Sequence, residues 1–259
     1  MSTIKKHIVT VLPFAMVILL FILSACKKSP EPVRQVYTPP VTPTTPTTPT
    51  TPANPVAFPP TGKSFLALGD SYTIGQSVTA DERFPYQTAR LLINAGIPVK
   101  QPVIIATTGW TTANLLSALQ TNPPATNYDI VTLLIGVNNQ YQHRSLDEYK
   151  AQFQQLLSMA ITYAAGKADH VFVVSIPDYS VTPFASNSDK AQIAMEIDQF
   201  NAANKTISLA ANVHYTDITP ISREGATDPA LQASDGLHPS GKQYGRWAEL
   251  LFPVIKAML

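Results

Sequence analysis

The sequence has a single cysteine in 259 residues, Cys26, so no intramolecular disulfide can close. Charged side chains are scarce at 14%, and they nearly cancel to a formal net charge of +1. That balance offers no basic surface for nucleic acid. His7, His143, His170 and His214 are scattered without metal-ligand spacing, so no metal is expected. A phosphate-binding glycine loop of the Walker type is missing, no internal repeat is present, and no cofactor is implied. Against these absences stands a hydrophobic fraction of 45%, enough for a substantial core.

The two ends of the chain differ in kind. Lys5 and Lys6 precede an apolar run from Ile8 to Leu23, interrupted by Thr10 and Pro13 and too short for a comfortable membrane span. This reads as a signal peptide over residues 1–25. Its ending, Leu23-Ser24-Ala25-Cys26, resembles a bacterial lipobox. The resemblance implies cleavage before Cys26, a lipid thioether on its sulfur, and a place in the bacterial cell envelope, anchored outside the cytoplasm. Removal of the leader takes two lysines from 18 basic residues and leaves 16 against 17 acidic ones. Residues 26–62 are rich in proline and threonine and offer no apolar face. They read as an extended tether rising about 3 Å per residue where it is stiff. The globular domain is expected over residues 63–259.

In that domain short apolar runs alternate with helical patterns. Phe65 to Leu68, Pro102 to Ala106, Ile130 to Ile135, Val171 to Ile176 and Val213 to Tyr215 read as five strands. Helices are expected from Phe84 to Ala95, from the turn at Thr107–Thr112 through Leu119, and from near Leu146. A further long one is capped by Ser188, and the last runs from about Ser240 with Tyr244, Trp247, Leu251, Val254 and Met258 inward. Tyr149, Phe153, Leu156, Ala160 and Tyr163 form one buried stripe, and Ile193, Ile197, Phe200 and Ile207 another. Ile221 to Gly236 reads as loop. The alternation predicts an α/β fold with a five-stranded parallel sheet, right-handed crossovers and helices on both faces.

Three strands end in residues suited to acyl transfer: Ser71 after the first, Gly109 after the second, Asn138 after the third. A fourth segment, Asp235-Gly236-Leu237-His238-Pro239, follows the fifth strand and can fold over the same sheet edge. Taken alone, Ser71 reads as a turn or N-cap serine, Gly109 as a positive-φ turn residue, and Asp235-x-x-His238 as a local turn contact. Ser71 also lacks the Gly-x-Ser-x-Gly setting of the α/β-hydrolase elbow, because Thr73 stands at the second glycine position. In combination, Gly69-Asp70-Ser71, Gly109, Gly136-Val137-Asn138 and Asp235-x-x-His238 resemble in order and spacing the four blocks of the SGNH or GDSL hydrolases, from Phe65 to about Leu251.

The resemblance implies a three-layer, flavodoxin-like fold and a serine esterase. Ser71 would be the nucleophile, His238 its base and Asp235 the acid that orients the imidazole. The backbone N–H groups of Ser71 and Gly109 and the amide of Asn138 would receive the oxyanion. Asp70 is assigned a structural part. Where the family usually has aspartate at the end of the third block, this chain has Asn139, read as a change in turn support. Tyr72, Trp110, Tyr141 and Tyr179 lie near strand ends, where they line a sugar or acyl site or pack under loops. The partners so implied are an ester substrate (an acylated glycan, a small ester or a lipid) and a membrane held through lipidated Cys26. An inactive relative that binds acylated glycans in the same cleft is the alternative reading.

Overall fold

The structure, a computed structural model, describes residues 57–259. The expected leader, Cys26 and most of the tether lie outside the described residues.

The five apolar runs form β1 (Phe65–Gly69), β2 (Val103–Ala106), β3 (Ile130–Leu134), β4 (Val171–Val174) and β5 (His214–Thr216). They make one sheet in the order β2-β1-β3-β4-β5, every pairing parallel. Every residue of β1, β3 and β4 is buried, as strands covered on both faces require. β2 is an edge strand, and its Val103 is 44% exposed. The register aligns Gly69 of β1 with Ala106 of β2 and Leu134 of β3, so these three strands end level. The chain leaves β1 toward β2 and then crosses back to β3. That reversal is the switch point at which open parallel sheets hold ligands.

The helices are α1 (Ser71–Ile74), α2 (Phe84–Asn94), α3 (Thr112–Thr121), α4 (Val137–Tyr141), α5 (Leu146–Tyr163), α6 (Lys190–Ala210), α7 (Thr219–Arg223) and α8 (Gly241–Met258). α2 packs on α8, while α5 packs on both α3 and α6, giving a helical layer on each face of the sheet. Thr111, Ser145 and Ser240 cap α3, α5 and α8 by accepting the N–H of the third helical residue. The α5 stripe from Tyr149 to Tyr163 is buried as its period predicts. At the amino end of the domain, Phe58 packs edge-on against Tyr86, with ring centroids 5.1 Å apart, under the guanidinium of Arg90.

Some expectations are corrected. Asp189, not Ser188, caps α6; its carboxylate takes the Gln192 N–H at 3.0 Å and also complements the helix dipole. In α8 Ile255 is fully buried while Val254 and Met258 are only half-buried. Ile255 lies three turns from Tyr244 at about 3.6 residues per turn, so the stripe runs through it. Ile207 is likewise only partly buried in α6. The stretch read as loop from Ile221 contains the end of α7 and two 3₁₀ turns, Glu224–Ala226 and Pro229–Leu231. Elements of three to five residues are too short to carry a periodic signal.

Candidate active site

At the end of β1 the chain turns directly into α1, with Ser71 its first residue and Asp70 its cap. Asp70 Oδ1 accepts the Tyr72 N–H at 3.0 Å. The residue is wholly buried, and Oδ2 has no hydrogen-bond partner. Burial pushes its carboxyl up to about 7, against the backbone N–H bonds that favour the charge. An acid whose folded pKa is raised binds its proton more tightly in the native state. Its stabilising contribution is therefore full below the unfolded value near 4 and is lost as pH rises to about 7. Melting curves should accordingly show the Asp70→Asn protein gaining stability relative to the parent between about pH 4 and 7, by roughly 4 kcal/mol at the limit. Parallel pH dependence in the two proteins would remove Asp70 as the cause.

The ends of β2 and β3 are tied to one another. Gly109 has φ +83°, a left-handed turn that any other residue would enter under strain. Beyond β3, Gly136 has φ +133°, and a Cβ there would lie 2.6 Å from the Tyr149 ring. The segment Gly136-Val137-Asn138-Asn139, expected as a strand exit, winds into α4. Asn138 Nδ2 donates to the Trp110 carbonyl at 3.0 Å, which orients the amide and leaves its second N–H available. Asn139 is fully buried; its Oδ1 accepts the Thr112 N–H at 2.9 Å and its Nδ2 donates to Thr112 Oγ1 at 2.7 Å. The Thr112 hydroxyl in turn bonds Gln152 Oε1. An asparagine serves here because the site needs one acceptor and one donor, and an aspartate supplies only acceptors.

The fourth segment lies in the turn before α8. His238 Nδ1 is 2.6 Å from Asp235 Oδ2, while Asp235 Oδ1 accepts the backbone N–H groups of Leu237 and His238, both at 3.0 Å. Burial works to raise the Asp235 carboxyl, but the bonds from Ser77, His238 and Leu237 outweigh it and hold the group well below the usual carboxylate range. The His238 ring rests on Tyr72, centroids 5.1 Å apart, and Tyr72 leans on Trp247 of α8. Aromatic packing from the last helix thus supports the imidazole.

Ser77 is one of the residues that sequence reasoning missed. Its hydroxyl donates to Asp235 Oδ2 at 2.6 Å, the same oxygen that faces His238, and its backbone has φ +66°. A contact across 158 positions leaves no local pattern to detect. Without that donor Asp235 Oδ2 keeps only the imidazole among its side-chain partners. Ser77→Ala should lower kcat on an ester by less than about tenfold. An unchanged kcat would mean that Ser77 serves only the turn.

Ser71, Asn138 and His238 line one cleft of about 100 Å³, walled also by Tyr72, Tyr141, Tyr179 and Phe184. Gly109 and Asp235 do not line it. Asp235 stands behind the imidazole, and Trp110 packs against the core and meets the site only through its carbonyl. Phe184 belongs to a 3₁₀ turn, Pro183–Ala185, and was not anticipated. Of the other histidines, His170 bonds the Asp129 carbonyl and His214 stacks on Phe172.

The sequence model of the GDSL-like lipase/acylhydrolase family matches residues 67–246. No curated protein matches the chain in sequence. Among solved structures, the chain is similar to Axe2, an acetylxylan esterase from Geobacillus stearothermophilus, with 21% identity and a TM-score of 0.58 over 75% of this chain and 94% of that one. TesA is 17% identical, with a TM-score of 0.57 over 76% of this chain and all of its own. The esterase EstA from Pseudoalteromonas sp. is 15% identical, with a TM-score of 0.55 over 75% of this chain and 97% of that one. At such identities the structures establish the shared α/β fold, and the match over residues 67–246 establishes the rest: the chain belongs to the GDSL-like lipase/acylhydrolase family, a family of ester hydrolases.

Proposed function

We propose that the protein is an exported, lipid-anchored serine esterase that releases acyl groups from oxygen esters through an acyl-enzyme on Ser71. The observation that carries this reading is the 2.6 Å contact of His238 with Asp235 in a ring that lines the same cleft as Ser71. With Nδ1–H donated to an ionised Asp235, the imidazole keeps its lone pair on Nε2, the tautomer a general base requires. Ser71 Oγ attacks the ester carbonyl carbon as its proton passes to Nε2. The oxyanion is met by the Ser71 N–H and the Asn138 amide, both on residues that line the cleft. Gly109 lies outside that lining, and its N–H is the third donor that the family resemblance assigns. Collapse of the intermediate expels the alcohol, which takes the proton from the imidazolium. Water then attacks the acyl-enzyme by the same route, releasing the carboxylic acid and restoring Ser71.

The cleft is smaller than the roughly 300–1,000 Å³ of pockets that take drug-sized ligands, which favours short acyl groups. Axe2 acts on an acetylated glycan by its name, and a surface location would bring such substrates here too. The test is a series of nitrophenyl esters of increasing chain length assayed beside acetylated polysaccharides. Turnover should be greatest for the shortest esters and absent in Ser71→Ala. Anchoring is tested separately. Cys26→Ala should abolish lipid labelling and membrane association yet keep the domain active, since the tether separates anchor from core. A Cys26→Ala protein still fixed in the membrane fraction would sink the lipoprotein reading.

A further inference from the structure

We propose that a second cavity beside the cleft binds the alcohol half of the ester, and that this alcohol is a sugar. The proposal rests on the esterase reading and extends it to the substrate. The second cavity, of about 170 Å³, shares two walls with the cleft, Tyr141 and Tyr179. An ester seated with its carbonyl at Ser71 and its acyl group in the cleft therefore has room for its alcohol on the far side of those rings.

The chemistry of this second space differs from that of the first. The cleft is walled mainly by aromatic rings, whereas here Gln140, His143, Gln192 and Glu196 contribute polar groups. They are held in place from both sides. Gln140, only 3% exposed, donates its amide to Glu196 Oε2 at 2.7 Å and accepts the Tyr179 hydroxyl at 2.8 Å. Gln192 donates to the other Glu196 oxygen at 2.8 Å. The network joins α4 to α6 and carries donors and acceptors side by side.

That mixture selects among alcohols. A sugar hydroxyl donates and accepts at once, and a ring bearing several of them can use amide, carboxylate and imidazole together. An alkyl alcohol would desolvate, and leave unused, the donor and acceptor capacity that remains on Gln192, Glu196 and His143 once their mutual bonds are made. A phosphorylated alcohol would face the Glu196 carboxylate. Tyr141, 51% exposed at the boundary between the two spaces, offers an aromatic face and a hydroxyl to the sugar ring.

The experiment compares kcat/KM of the full-length protein on an acetylated xylo-oligosaccharide and on nitrophenyl acetate, in the parent, Gln192→Ala and Glu196→Ala. The ratio of sugar ester to nitrophenyl ester should fall about tenfold in each variant, chiefly through KM on the sugar ester. Gln192 is exposed on α6, so its variant keeps the comparison valid should Glu196→Ala lower the melting temperature. Ratios within twofold of the parent in both variants would overturn the subsite. So would faster turnover of a choline ester than of the sugar ester, since Glu196 would then be serving a cationic alcohol. If the parent hydrolyses neither ester, the esterase reading itself fails; Ser71-dependent turnover of nitrophenyl acetate with unchanged ratios removes the subsite alone.

Discussion

Ser71→Ala and His238→Ala will each lower kcat on a short nitrophenyl ester by on the order of 10⁴-fold or more, and the double variant will be little worse than either. A serine hydroxyl attacks only as its proton leaves. On the proposed mechanism His238 is the acceptor of that proton, and without Ser71 the imidazole has nothing to activate. The two losses therefore describe one event and do not add. Both side chains line the cleft, and His238 is held from behind by Asp235 and from below by Tyr72, so truncation at either position leaves the rest of the site standing. Stopped-flow or steady-state kinetics on purified protein with an unchanged melting curve is the measurement. Full turnover by Ser71→Ala would rule out the acyl-enzyme, and multiplicative losses in the double variant would mean that the residues work apart.

The second large effect separates two neighbouring asparagines. Asn138→Ala should lower kcat by about a hundred- to a thousand-fold, or roughly 3–4 kcal/mol, with a smaller change in KM, because the lost donor meets charge that develops only as Ser71 attacks. Asn139→Ala should act on stability instead. It strips the buried Thr112 N–H of its acceptor and the Thr112 hydroxyl of a donor, which costs about 1–3 kcal/mol for each group left unpaired. Its kcat should fall by less than about tenfold. Kinetics and thermal melts on the two variants decide the matter. A larger kcat loss in Asn139→Ala than in Asn138→Ala would show that the oxyanion donor has been given to the wrong residue.

The strands were legible because β1, β3 and β4 are covered on both faces and so read as unbroken apolar runs. α5 was legible because a helix buried on one side repeats at its own period. What escaped has physical reasons of its own. Asn201 lies on the apolar stripe of α6 yet is buried, with its side-chain oxygen on the Ile176 N–H at 2.7 Å and its amide on the Ile176 carbonyl at 2.9 Å. Such a plug for a strand end looks in sequence like a surface asparagine. Ser77 and Phe184 reach the site from loops, through contacts with partners remote in the chain, and composition carries no trace of them. The cap of α6 was misplaced by one residue because Ser188 and Asp189 are both good caps, and only the register of the first turn distinguishes them. The placing of Ser71, Gly109 and Asn138 at strand ends followed from the alternation itself. That the three ends lie level is a property of the register.

The proposed nucleophile and base come from opposite ends of the domain. Ser71 follows the first strand, and His238 precedes the last helix, held there by the packing of α8 on α2 and by Trp247 beneath Tyr72. During synthesis Ser71 emerges long before His238 exists. On the proposed mechanism a partly made chain would therefore be inert toward any ester it meets, and chemistry would begin only when the carboxyl-terminal helix has docked.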